Sequence, residues 1–174
     1  MSRFQYDELV LAISPTHRGL AYTLFSAPLT PIDWGFKRVR DKDKNARTLE
    51  IVVQLCAALR PDTLVIEDCE TVECDRSDRV RRLYALIATF AETENLTLAR
   101  YSRDAVRATF GDAGAITRPE IAQAIASYIP ALAHRLPRVR KLWQSEDHRL
   151  SLFSAAALAL THYAVVPGED GEPP

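Results

Sequence analysis

The run TLVIE, Thr63–Glu67, carries apolar side chains at consecutive positions and ends in an acid. Strand side chains alternate between faces, so neighbouring apolar residues need cover on both sides. That is the pattern of a buried parallel strand. Helical periodicity flanks it. Before it, Leu49, Val52, Val53, Cys56 and Leu59 recur at helical spacing over Ala46–Leu59, and Arg60-Pro61-Asp62 stops the helix. After it, Ser77 caps a helix with Val80, Leu83, Tyr84, Ile87, Phe90 and Ala91 on one face.

The N-terminal part has a different rhythm. Glu8–Ile13, Gly19–Ser26 and Asp33–Val39 are short β-competent runs joined by Pro- or Gly-bearing turns, which predicts a three-stranded antiparallel meander. Leu96–Tyr101 predicts a fifth strand and Ser102–Phe110 a short helix. Thr117-Arg118-Pro119-Glu120 is a helix start with a capping box, continuing to about Tyr128. LPRVRK reads as a basic loop, and a final helix is predicted from Ser145 to about Ala164. The order βββαβαβα, then helices, gives an α/β fold: a mixed five-stranded sheet, three antiparallel strands then parallel βα units, flanked by helices. One domain over residues 1–166 and a disordered tail over 167–174, PGEDGEPP, are expected.

The 174 residues suffice for one domain with a core, and 47% hydrophobic with 26% charged residues is ordinary globular composition. A net charge of −1 provides no global pull toward nucleic acid, so any such surface must come from clustering of the 22 Lys and Arg. No apolar run reaches the ~20 residues a membrane span needs. MSRFQYDELV is too charged for a secretory signal, and a cytoplasmic location is expected. The sequence has neither GxxxxGK[ST] nor GxGxxG. Of three cysteines, Cys56 reads as a core thiol, and Cys69 and Cys74 as ordinary thiols rather than metal ligands.

In open α/β sheets, sites form at the carboxyl ends of parallel strands. Ser14 closes the first strand and Glu67 the fourth, and in this order those strands are neighbours. Glu67 reads as a functional acid or as a strand-end carboxylate reaching solvent. On the last helix, Asp147, Ser151, Ser154 and Leu158 share a face. Asp147 reads as a site acid or as a first-turn acid complementing the helix dipole. His17, His134 and His148 read as surface residues. Arg76, Arg79, Arg81 and Arg82, then Arg100, Arg103 and Arg107, then Arg135, Arg138, Arg140 and Lys141 beside Trp143, could border one sheet edge. They read as phosphate-binding groups or as solvated, acid-paired faces.

The turn ISPTHRGLAYTLF, the strand LVIED and the helix LFSAAALALTH, in this order, resemble the RuvC-type Holliday-junction resolvases of the ribonuclease-H-like superfamily. The resemblance covers about Leu9–Tyr163. It implies that Ser14, Ser151 and Ser154 stand on three of the family's acid positions, Glu67 on the fourth and His162 on its late histidine. Two-metal phosphodiester cleavage needs carboxylates converging on two ions about 4 Å apart. The resemblance therefore implies Mg²⁺ or Mn²⁺ if the chain is active, and no cofactor otherwise; with serines at the other acid positions, Asp147, which shares a helical face with Ser151 and Ser154, would have to hold the metal with Glu67. It implies a nucleic-acid-binding protein with impaired catalysis, acting on duplex or branched DNA, as a homodimer or a subunit of a larger complex. An active metal-dependent endonuclease and a protein–protein interaction domain remain as alternatives.

Overall fold

The computed structural model describes residues 8–71, 74–138 and 148–165. Its five strands are β1 (Val10–Thr16), β2 (Gly19–Ala27), β3 (Thr30–Arg38), β4 (Thr63–Glu67) and β5 (Thr97–Tyr101). They form one sheet in the order β3-β2-β1-β4-β5. The β1–β2 and β2–β3 pairs are antiparallel, and the β1–β4 and β4–β5 pairs parallel. This is the mixed sheet expected from the sequence. The helices are α1 (Lys44–Leu59), α2 (Asp78–Thr93), α3 (Arg103–Phe110), α4 (Arg118–Tyr128), α5 (Pro130–Ala133) and α6 (Leu150–Val165).

Period-two alternation divides the core into two layers. Leu11, Ile13, Leu64 and Ile66 pack with Val52, Leu55, Leu83 and Ile87 of α1 and α2. Val10, Ala12 and Val65 face the opposite way, against Phe153, Ala155, Ala156 and Ala159 of α6 and Ile125 of α4. The three alanines are fully buried, and their small side chains let α6 lie close on the sheet. No described helix is long and apolar enough to cross a membrane.

Local chemistry sets the boundaries. Gly19 has φ 154°, and a Cβ there would lie 2.1 Å from the Lys37 carbonyl oxygen, so only glycine fits the turn into β2. Arg60 ends α1 in the left-handed conformation, at φ 48°, just before Pro61. The Thr117–Glu120 capping box is formed at the start of α4.

Several boundaries differ from expectation; the third strand, for one, begins at Thr30 rather than Asp33. The first strand runs to Thr16 rather than Ile13, so Ser14 and Pro15 lie inside it. Pro15 is tolerated because β1 pairs with β4 only from Val10 to Ala12, so no neighbour there needs its missing N–H. The final helix begins at Leu150 and not Ser145; residues 148 and 149 form a turn. The Ser151 N–H and hydroxyl both bond the His148 carbonyl, and the Leu152 N–H bonds that of Arg149, a tight i→i+3 entry. The predicted tail falls outside the described residues.

Candidate functional site

Alternation also places the site. Ser14 follows Val10 and Ala12 on the α6 face of β1, and Glu67 follows Val65 on the same face of β4. The β1–β4 pairing ends at Ala12 and Val65, two residues short of both. Beyond it lies a cavity of about 390 Å³. Its walls come from the ends of β1, β4 and β5, from Arg76 ahead of α2, and from α3, the start of α4 and α6. Polar lining comes from Ser14, Glu67, Arg76, Arg103, Arg107, Thr117, Arg118 and Ser154. Tyr101, Val106, Ile121, Leu150, Phe153 and Leu158 are among the less polar residues lining it.

Glu67 is only 6% exposed, and both its oxygens are engaged. Oε2 accepts from Arg76 Nε at 2.6 Å, and Oε1 from Arg103 Nε at 3.2 Å. Arg76 Nη1 donates to the Pro15 carbonyl at 3.2 Å, tying the end of β1 to the same guanidinium. Burial opposes charge on Arg76, but the neighbouring Tyr84, Glu67 and Asp75 outweigh it and hold its ionisation above the ordinary arginine value. Burial likewise pushes the Tyr84 phenol above its usual range. Arg103 reaches outward from Glu67 to Asp75, at 2.8 Å.

The serines are not equivalent. Ser14 is 1% exposed and its hydroxyl has no partner. An unsatisfied buried polar atom costs about 1–3 kcal/mol, so this one marks either a ligand position or a tolerated defect. Ser154 accepts from Arg118 Nη2 at 2.9 Å and donates to the Leu150 carbonyl at 3.2 Å. Ser151, expected beside it, is buried with its hydroxyl on the His148 carbonyl and does not line the cavity. The helical face that does is Leu150, Phe153, Ser154, Ala157 and Leu158.

These residues do not fit the divalent ion that the resemblance implies. Mg²⁺ and Mn²⁺ need anionic oxygens free to converge. Among the described residues the one lining carboxylate is held by two guanidiniums, the serine hydroxyls are neutral, and four arginines line the cavity. Asp147, expected to complete the set, lies outside the described residues.

The cysteine expectation is corrected. Cys69 and Cys74 form a disulfide, with Cα atoms 5.1 Å apart. The loop after Glu67 folds back on itself: Cys74 N–H bonds the Thr71 carbonyl, and Arg81 donates to the carbonyls of both Cys69 and Cys74. One ligand atom each from Glu67, Cys69 and Cys74 lies within 4.8 Å of the others. With the sulfurs bonded to each other and Glu67 to arginines, this group does not fit a metal either.

The basic residues separate into two kinds. Arg76 and Arg81 are tied to neighbouring acceptors, Arg76 while lining the cavity, and Arg79 bonds Asn45 at 3.2 Å and the Thr16 carbonyl at 3.4 Å. Arg82, Arg107 and Arg138 are exposed, as is Arg100, which meets Glu70 at 3.1 Å. Arg140 and Lys141 lie outside the described residues. Arg118 was legible only as part of a helix-start motif, and nothing in its spacing marked it as a cavity residue.

Sheet order and helix placement are those of a RuvC-like, ribonuclease-H-like fold. No family model matches the chain, and no curated protein matches its sequence. Solved structures do match. The structure of Thermus thermophilus RuvC in complex with Holliday junction substrate superposes with a TM-score of 0.63 at 13% identity, covering 88% of this chain and 92% of that one. A second Thermus thermophilus RuvC structure gives 0.62 at 15% identity, with the same coverage. The yeast mitochondrial Holliday junction resolvase Ydc2 gives 0.61 at 13% identity, covering 89% of this chain and 77% of that one. The resemblance read from the sequence thus holds for the fold.

Proposed function

We propose that this chain is a cytoplasmic RuvC-like DNA-binding domain that recognises duplex or branched DNA without metal-dependent cleavage, as a homodimer or within a larger DNA-processing complex. The observation that carries this reading is Glu67 clamped between Arg76 and Arg103 in a cavity with Ser14 and Ser154 where cleavage chemistry needs carboxylates. Likeness to a RuvC solved with a Holliday junction supports branched DNA as the ligand. Exposed Arg82, Arg107 and Arg138 supply phosphate contacts that position a duplex without reading its sequence.

The test is a gel-shift and cleavage experiment on a four-way junction and a matched duplex. Expected is binding in EDTA that weakens steeply between about 50 and 200 mM salt, because each neutralised phosphate releases counterions. The junction should stay intact in Mg²⁺ and in Mn²⁺. Metal-dependent cleavage lost on Glu67→Gln would establish the active endonuclease instead.

A further inference from the structure

We infer that the cavity at the sheet edge is a cation-independent site for a nucleoside monophosphate, taking its phosphate on Ser14, Arg76 and Arg107 and its sugar and base on the apolar wall. The inference rests on the reading above that no divalent ion occupies the cavity; it does not rest on junction binding.

Three observations converge. First, donors point to an anion. Ser14 lines the cavity, is 1% exposed, and its hydroxyl lacks a partner. Arg76 uses Nε on Glu67 and Nη1 on the Pro15 carbonyl, which leaves Nη2 without a partner among the described residues. Arg107 also lines the cavity, and its side chain is 52% exposed, with one long 3.5 Å contact to Asp104. Second, the balance of charge holds when the nearby acids are counted. Among the described residues, the lining includes four guanidiniums and one carboxylate, Glu67, and with Asp75 and Asp104 added the count is four to three. Guanidinium forks favour phosphate, with three terminal oxygens, over a carboxylate with two.

Third, the size and walls fit more than a bare anion. A cavity of about 390 Å³ falls within the ~300–1,000 Å³ range of small-molecule sites. Inorganic phosphate would leave most of it empty and Tyr101, Val106, Ile121, Phe153 and Leu158 uncovered. A flat base on a short sugar gives those side chains a partner, and the aromatic rings a stacking face. The phosphate can belong to a free mononucleotide or to the 5′ end of a DNA strand; both present the same monoester.

The experiment is calorimetric titration of the full chain in EDTA with dTMP, thymidine and inorganic phosphate, alongside 5′-phosphorylated and 5′-hydroxyl oligonucleotides. Saturable dTMP binding at least 10-fold tighter than thymidine or inorganic phosphate is expected. Ser14→Ala and Arg107→Gln should each weaken it about 3- to 10-fold, near one hydrogen bond's worth; both sites tolerate the change, one being unpartnered and the other exposed. Preference for the phosphorylated over the hydroxyl end assigns the site to DNA termini, and equal oligonucleotide affinities with tight dTMP assign it to the free nucleotide. No dTMP binding up to about 10 mM in EDTA, or binding only with Mg²⁺, overturns the inference. If that failure comes with intact junction binding, the DNA-binding reading survives alone. Tight dTMP without junction binding has the reverse meaning.

Discussion

Glu67→Gln separates an arginine-clamped site from a metal site by the sign of a stability change. In a cluster built to hold cations, carboxylates repel each other when no metal is present, and neutralising one raises the melting temperature in EDTA. Here the substitution removes the counter-charge of two guanidiniums. The Arg76–Glu67 pair is the larger loss, because the side chains are 19% and 8% exposed and bond at 2.6 Å. Breaking a fully buried pair from one side costs about 3–5 kcal/mol. Arg76 keeps the Pro15 carbonyl and some solvent, which lowers the figure to about 2–4 kcal/mol. Arg103 is 40% exposed and retains Asp75, so its share is at most about 0.5 kcal/mol. For a chain of this length each kcal/mol shifts melting by about 2–4 °C, so a fall of about 4–18 °C is expected. Ser14→Ala should leave melting unchanged or slightly higher, since its hydroxyl makes no bond. Thermal unfolding followed by circular dichroism in EDTA reads both. A Glu67→Gln protein that melts at or above the parent would refute the clamp.

Three further outcomes follow from geometry. Reducing the Cys69–Cys74 disulfide releases a short loop constraint worth about 2 kcal/mol, so melting should fall by about 4–8 °C with a phosphine reductant; a Cys69→Ala/Cys74→Ala variant should show no such response. Gly19→Ala places its methyl on the Lys37 carbonyl and should cost about 3 kcal/mol or more, read as a lower urea midpoint. Burial pushes the Cys56 thiol up to about 11, from 9.0, so at pH 8 its thiolate is about 100-fold scarcer and iodoacetamide should label it that much more slowly than a free thiol. Because the folded value is the higher one, Cys56 favours folding below the ordinary thiol range, and that contribution is lost as pH rises toward about 11; rapid labelling at pH 8 would show the thiol is not buried.

The periodicities were legible because each reports a local constraint. TLVIE needed cover on both faces, and α1 and α6 supply it on opposite sides of β4. The Thr117–Glu120 box and the Ser77 cap act within four residues, so spacing alone reveals them. Ser14 and Glu67 could be brought together from topology, since strand order and alternation determine which side chains share an edge.

Partnership was not legible. Arg76 looked like one of several surface arginines, but the loop after β4 folds inward and puts its guanidinium on Glu67, nine residues away. Arg118 meets Ser154 across 36 residues, and only the packing of α4 on α6 makes that possible. Ser151 and Ser154 look alike in sequence and both donate to a backbone carbonyl, yet only Ser154 lines the cavity and meets Arg118. Sequence alone thus determined the layers, the strand order and the edge where a site must lie, because hydrophobic period and capping are local. Tertiary structure decided the sign of charge at that edge, because a carboxylate's chemistry depends on which distant guanidiniums the fold brings within hydrogen-bond reach.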